Sequence, residues 1–259
     1  MTKVQLFDIP FDNFDFDDLL QFIDNAVLTQ KPSYILTCNV DHLIKLESDP
    51  LFRTVYVNAD VVVADGVAII WASRMLHKPL KKKVSGSDIL HELGKALEDR
   101  QYRLFFLGAA AGVAEAARQE LLKQFPRMQV VGCYSPSYGF ELNKSENKQI
   151  VSMLKQAQPD IVLVGVGAPK QEKWIYEHYH EYGAPVSIGV GATFDFLSGK
   201  VKRAPRLFQR VGFEWLWRLL QEPGRLWRRY LVEDMKFLKR MVDEIKKEKR
   251  RKRDADYGG

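Results

Sequence analysis

The chain has 259 residues, enough for one large domain or two small ones, and its 46% hydrophobic content is ordinary for a globular protein with a substantial core. Its two cysteines, Cys38 and Cys133, lie far apart, so they give neither a disulfide framework nor a metal-ligand cluster and favour a reducing compartment. The formal net charge of +6 is unevenly spread, with +10 on residues 200–259 and −4 on residues 1–199.

The start, Met1-Thr2-Lys3, turns acidic by Phe11–Asp18, which is not the pattern of a signal peptide. The longest stretches without a charged residue, Met128–Phe140 and Tyr182–Phe194, are 13 residues each and contain Gly and Pro. A spanning helix needs about 20 apolar residues, so membrane contact, if any, is expected to be peripheral.

In chain order, the candidate strands are Ser33–Cys38, Asp60–Ala64, Arg103–Gly108, Met128–Gly132, Asp160–Val166 and Pro185–Val190. Most are almost continuously apolar, as strands covered on both faces must be. Amphipathic helical patterns lie between them, among them Val67–Leu76, Val113–Phe125, Lys144–Gln156 and Gln171–Tyr182. This alternation predicts an α/β fold with a Rossmann-like, largely parallel sheet and helices on both faces.

Near Lys200 the pattern changes. Leu207–Gln221 is expected as a helix with Arg210, Glu214 and Arg218 in one polar stripe, broken by Pro223-Gly224. A second helix, Arg225–Ile245, gathers Leu231, Leu238, Met241, Val242 and Ile245 on one side, and the charge run Lys246–Arg253 is expected to be disordered. Residues 1–204 thus form the expected core and 205–259 a basic, helical appendage that holds Trp215, Trp217 and Trp227. An acidic body with a basic, aromatic tail suits attachment to an anionic membrane surface; a solvated tail and nucleic-acid contact are the alternatives.

Ligands in such sheets bind where the strands' carboxyl ends open into loops. Thr37 and Asn39 close the first of these strands, where such residues either cap the next helix or bond sugar hydroxyls. Asp65, before Gly66, is placed either as a helix cap or as a general base whose basicity burial would raise. Gly108-Ala-Ala-Ala-Gly112 brings backbone N–H groups to a helix start but lacks both dinucleotide and P-loop spacing. With Gly165-Val-Gly167 and Gly189-Val-Gly191 it suggests a nucleotide-sized cleft. In Gly167-Ala-Pro-Lys-Gln-Glu172, Pro169 suits a first helical turn, while Gln171 has no evident structural purpose. The five histidines have no metal-ligand spacing, and Asp15-Phe-Asp17 sits in an acidic segment rather than at a strand end. No cofactor and no metal are expected.

Together these pieces resemble the WecG/TagA/CpsF glycosyltransferases (glycosyltransferase family 26). The resemblance rests on Thr37-x-Asn39, Ala64-Asp-Gly66, Val84-x-Gly-x-Asp88, Phe106-Leu-Gly108, Gly165-x-Gly-Ala-Pro-Lys-Gln-Glu172, Gly189-Val-Gly191, the stretch Phe194–Pro205 with its Val-Lys-Arg-Ala-Pro, and Gly212-x-Glu-Trp-Leu-x-Arg-Leu219. It runs in order from about residue 4 to about residue 240.

The resemblance implies inverting, metal-independent transfer of a sugar from a UDP-sugar to a polyprenyl-diphosphate-linked saccharide at the cytoplasmic membrane face, in cell-surface or exopolysaccharide synthesis. It implies Asp65 as the base, Thr37, Asn39, Lys83 and Gln171 at the sugar and acceptor site, and Gly108, Ala109, Tyr138, Gly139, Gly191 and Asp195 at the nucleotide. Arg218, Arg225 and Arg228 match arginines placed on the acceptor diphosphate. Lys83 stands where the family commonly has Arg, which turns a bidentate fork into a point charge. Ser135–Phe140 replaces the common Gly-Tyr-Phe segment and is similar to members acting in exopolysaccharide assembly. Two competing readings are a non-catalytic, membrane-bound sugar-nucleotide-binding protein and a nucleic-acid-binding tail. Retention of Asp65, Thr37 and Gln171 argues against the first, and the apolar stripe with Trp215 and Trp217 against the second, so no nucleic-acid partner is expected.

Overall fold

A computed structural model describes residues 2–205, 208, 213–228 and 235–257. The chain opens with an antiparallel hairpin, β1 (Lys3–Leu6) and β2 (Ile9–Asp12), turned by Phe7 and Asp8, both at positive φ. Such left-handed pairs match the twist of a two-residue hairpin. Helix α1 (Phe16–Thr29) follows, and its N-cap is Asp15, whose side chain accepts from the backbone N–H groups of Asp17 and Asp18 while Asp18 reaches back. The Asp15-Phe-Asp17 segment is therefore a helix start.

The central sheet has six strands, all parallel, in the order β4-β3-β8-β7-β5-β6. These are β3 (Ser33–Cys38), β4 (Val61–Ala64), β5 (Arg103–Gly108), β6 (Gln129–Tyr134), β7 (Ile161–Gly165) and β8 (Val186–Gly189). The six strands expected from the sequence are these six, with small shifts at their ends. Side chains alternate between two cores. Leu36, Phe105, Leu107, Val162 and Val164 enter one, and Ile35, Leu104, Phe106, Ile161 and Leu163 the other. That is the period-two geometry of a strand buried on both faces.

The helices are α2 (Val40–Ser48), α3 (Pro50–Val57), α4 (Val67–Met75), α5 (Gly86–Glu92), α6 (Gly94–Asp99), α7 (Val113–Gln124), α8 (Lys144–Ala157), α9 (Lys170–Tyr182) and α10 (Thr193–Leu197). The first core is covered by α2, α3, α4, α8 and α9 through residues such as Leu43, Phe52, Ile69, Ile150 and Trp174. The second is covered by α1, α5, α6, α7 and α10 through Leu19, Ile89, Leu97, Ala117 and Phe194. Across the neighbours β3, β8, β7 and β5, the helix that follows each strand therefore changes face every time: α2, α10, α9, α7. Connections that leave adjacent strands to opposite faces open crevices at the strands' carboxyl ends.

The strand ends are crowded at that edge. Gly108 ends β5 at φ +134°, and a Cβ there would run into the Gly165 backbone of the neighbouring strand. Only glycine combines that backbone conformation with that approach.

Beyond residue 205 the described helices are α11 (Glu214–Gln221), α12 (Pro223–Arg228) and α13 (Met235–Tyr257). Residues 206–207, 209–212 and 229–234, which carry part of the two expected tail helices with Arg210 and Leu231, lie outside the described residues. The expected Arg225–Ile245 helix is represented by α12 and α13, and α13 continues as helix through the basic run Lys246–Arg253, where the sequence suggested disorder. One side of α13 belongs to the body. Phe237 and Met241 are buried in the first core, and Arg240 donates to the carbonyls of Leu43 (2.6 Å) and Phe7 (2.8 Å). Among the apolar residues grouped on this helix by spacing, Met241 is thus core and Leu238 and Val242 are exposed.

Candidate active site

Two cavities open at the carboxyl edge of the sheet. The larger, 540 Å³, lies over β4, β3 and β8 and is lined by Thr37, Asn39, Asp65, Lys83, Gln171 and Gly191 among others. The smaller, 470 Å³, lies over β8, β7 and β5 and is lined by Ala109, Ala110, Tyr138, Gly139, Lys170 and Asp195 among others. Gly167, Gly191 and Ala192 line both, so the two cavities share a ridge made by the loops after β7 and β8.

Asp65 follows β4 and is held by its own backbone N–H, which donates to the Cys38 carbonyl at 2.7 Å. It is half-buried, and desolvation raises its carboxyl to about 6. The Ser85 hydroxyl hydrogen-bonds it and Lys83 attracts it, both lowering the value, Glu214 repels and raises it, and Arg218 lowers it. A carboxylate tuned in this way is ionised at neutral pH and still basic enough to take a proton. Ser87 Oγ lies 3.1 Å from Ser85 Oγ and extends the chain. Asp65 is not the helix cap. Gly66, at φ +115°, holds that position on α4, which has no side-chain cap.

Thr37 donates its hydroxyl to the Gly189 carbonyl at 3.2 Å, tying β3 to β8 while its lone pairs stay available. Asn39 caps α2 by accepting from His42 N–H at 3.2 Å and still lines the cavity, so both of its expected uses are compatible. Lys83 is 3.1 Å from Asp88, which also pairs with Arg203. Gln171 is 2% exposed, and its carbonyl accepts from the backbone N–H groups of Gly167 (3.2 Å) and Gly191 (3.1 Å). It therefore has the structural purpose that the sequence did not reveal, as a tie across the ridge.

In the smaller cavity, the loop after Gly108 turns through Ala109 at φ +59°, and Ser135 donates to the carbonyls of Gly108 (3.2 Å) and Ala110 (3.1 Å). Gly108 acts as the spacer behind this loop and is not itself among the lining residues. Neither α7 nor α9 has a side-chain cap; the Val113 and Gln171 N–H groups bond the backbone carbonyls of Ala110 and Gly167, and the positive ends of both helices still favour an anion. Tyr138 is fully exposed with the Lys170 ammonium 4.8 Å from its ring centre, and Lys170 also pairs with Glu141 at 2.6 Å. Asp195 lies 3.8 Å from Lys200.

The tail walls the larger cavity. Glu214, Trp215 and Arg218 reach it from α11, and Met235, Phe237 and Leu238 from α13. Arg218 also sits 5.5 Å from the Phe196 ring. Arg228 is exposed on α12 and lines neither cavity, and the Arg225 side chain lies outside the described residues. Sequence reasoning missed Ser85 and Glu214 as neighbours of Asp65. Ser85 lies inside the Val84-x-Gly-x-Asp88 segment, whereas Glu214 is set by long-range docking that no local pattern records. Among the described residues no group of three or more His, Cys, Asp or Glu side chains is placed to hold a metal ion.

A family model described as the glycosyl transferase WecG/TagA/CpsF family matches residues 4–252. The chain belongs to that family. As a family member it is a glycosyltransferase. Among curated proteins it is similar to an N-acetylglucosaminyldiphosphoundecaprenol N-acetyl-beta-D-mannosaminyltransferase of Bacillus spizizenii, 32% identical over 228 residues that cover 86% of each chain. Enzymes of the same name from Bacillus subtilis and Staphylococcus aureus are each 28% identical, over 89% and 88% of this chain and 88% of each relative.

The raised carboxyl of Asp65 has a cost in stability. Folding holds it near 6, against about 3.9 for a free aspartate, so its ionisation opposes folding. The penalty is absent where both states are protonated, grows as pH rises through that window and is constant above it. Asp65→Asn is expected to be more stable than the parent at pH 8, on the order of 2 kcal/mol, with the difference largely gone at pH 4. Thermal unfolding at the two pH values measures it. A variant less stable at pH 8, or a gain equal at both, contradicts this electrostatic reading.

Proposed function

We propose that the protein transfers a sugar from a UDP-sugar to a saccharide carried on a polyprenyl diphosphate, with inversion and without a metal held by the chain, in the synthesis of a cell-wall or other surface polysaccharide. The observation that carries this is Asp65, half-buried in the larger cavity with Lys83 and Arg218 favouring its charge, beside a second cavity lined by Lys170 and the loops after β5, β7 and β8. The relatives' names describe N-acetylmannosamine transfer to a diphosphoundecaprenol-linked N-acetylglucosamine, and this chain takes substrates of the same class.

In this reading the UDP moiety occupies the smaller cavity and the donor sugar crosses the ridge at Gly167 and Gly191. The acceptor hydroxyl lies against Asp65, with Thr37 and Asn39 bonding sugar hydroxyls. As the hydroxyl oxygen attacks the anomeric carbon, its proton passes to the Asp65 carboxylate. The bond from that carbon to the phosphate oxygen breaks, and its electron pair leaves with UDP. One carboxylate suffices for this single displacement. Glu214 acts on Asp65 as a like charge that keeps it basic. The beta in the relatives' names supports inversion, because common UDP-sugars are α-linked. Charge developing on UDP is met by Lys170 and by the uncapped starts of α7 and α9. Arg218, with Arg225 and Arg228 nearby in sequence, serves the acceptor diphosphate.

The basic tail holds the protein on the cytoplasmic face of an anionic membrane. Support comes from the +10 charge of residues 200–259 and from exposed Trp215, Leu220, Trp227, Leu238 and Val242. Among the described residues no helix is long and apolar enough to cross a membrane.

Three outcomes are expected. Asp65→Asn keeps UDP affinity but lowers UDP release at least about 100-fold in the presence of donor and lipid-linked acceptor, since an amide accepts no proton; near-normal turnover would exclude Asp65 as the base. EDTA leaves turnover unchanged, whereas loss that is restored by Mg²⁺ or Mn²⁺ would overturn the metal-free step. In flotation assays the protein rises with anionic vesicles at low salt and is released at high salt; equal binding to neutral vesicles would rule out the electrostatic anchor.

A further inference from the structure

We propose that Glu172 is a positioning residue for transfer, fixing Gln171 so that its carbonyl ties together the two loops that separate the cavities; the proposal rests on the transferase reading above. Glu172 is 1% exposed at the first turn of α9. Its Oε1 accepts from Gln171 Nε2 at 2.7 Å, and its Oε2 has no hydrogen-bond partner. A buried carboxylate with one oxygen unsatisfied is costly, and an apolar side chain of similar size would pack there at less cost. Its retention calls for a purpose beyond packing.

The geometry supplies one. The N–H groups of Gly167 and Gly191 are donors only, so they require the carbonyl end of Gln171. A carboxylate is an acceptor only, so it requires the NH₂ end. The two demands agree, and the amide is locked in one of its two orientations. Without Glu172 the NH₂ group would face a buried site with no acceptor, and the lock would be lost.

Two surrounding features are shaped to the pair. A Cβ at Gly189, the end of β8, would lie 2.9 Å from Gln171 Nε2 and 3.4 Å from Glu172 Oε1, so the strand end is cut back to admit both side chains. On the far side, His42 Nε2 stands 3.9 Å from Glu172 Oε1, and His42 Nδ1 is 2.6 Å from the Tyr56 hydroxyl. Behind the carboxylate is therefore an aromatic and imidazole wall rather than solvent. Burial also holds the Glu172 carboxyl up to about 7, in keeping with a dry site. From Glu172 the tie runs through Gln171 to Gly191, whose loop follows Val190, and Val190 and Gly191 both line the cavity that contains Asp65. Slack in this loop would displace the ridge over which the donor sugar must lie, and displacements near 1 Å cost about 100-fold in well-oriented reactions.

The test compares Glu172→Gln, Glu172→Met and Glu172→Ala in the full chain. The glutamine variant can still accept from Gln171 and is expected within about threefold of the parent in kcat/KM, whereas Met and Ala lose at least about tenfold, chiefly in kcat. The Ala variant, which also leaves a cavity, is expected to melt below the Met variant while the two lose activity alike, so activity follows the acceptor and stability the packing, as they would not for a packing residue. Adding Gln171→Ala to Glu172→Met should cost no more than Gln171→Ala alone. Amide hydrogen exchange at Gly167 and Gly191 should speed up in the Met and Ala variants only, and this readout needs no turnover. If the parent itself releases no UDP with any donor and lipid-linked acceptor, the transferase reading fails while exchange still decides the clamp. Full activity of the Met variant, equal losses in the Gln and Met variants, or failure of both Met and Ala to fold would each overturn the proposal.

Discussion

The placement of everything functional in this molecule follows from one constraint of the parallel sheet. Parallel strands cannot be joined by tight hairpins, and here the helices that follow β3, β8, β7 and β5 leave to alternating faces. Their carboxyl ends are therefore parted into crevices, and the strand ends and the loops that begin there carry Thr37, Asn39, Gly108, Gly167 and Gly191. The two cavities are two consequences of one topology, and their shared ridge is the pair of loops between them. A transferase needs two substrates adjacent but separately held until they react, and this edge offers that arrangement.

Electrostatics is then concentrated at the same edge. Asp65 is placed where burial works against its charge while Lys83 and Arg218 work for it, leaving a carboxyl near 6. Part of this balance is supplied from far along the chain, because Glu214 and Arg218 arrive on α11. The tail thus completes the site. Phe237, Arg240 and Met241 hold α13 on the body, while Val242 is exposed and Leu238 is exposed at the wall of the larger cavity. One helix covers the core on one side and offers an apolar stripe on another.

Much of this was legible in the sequence, for physical reasons. The six central strands were visible because strands buried on both faces read as unbroken apolar runs, and Asp65, Thr37 and Asn39 stood out because strand ends are where ligands bind. The hairpin β1–β2 was not legible. Its strands have four residues each, Pro10 interrupts the second, and its turn uses Phe7 and Asp8 in place of the usual glycine or asparagine. The use of Gln171 was hidden because its partners are backbone N–H groups of Gly167 and Gly191, which no side-chain pattern encodes. The tail misled in another way. Helical spacing identifies an apolar face and says nothing of what covers it, and Met241 proved to belong to the core.

The central claim is the division of labour between the two cavities. A crystal structure of the protein soaked with UDP tests it most directly. The account predicts UDP in the smaller cavity, against Ala109, Tyr138 and Asp195, with its phosphates at the ridge and Asp65 left uncovered in the larger one. UDP seated in the larger cavity on Asp65, with the smaller one empty, would contradict it.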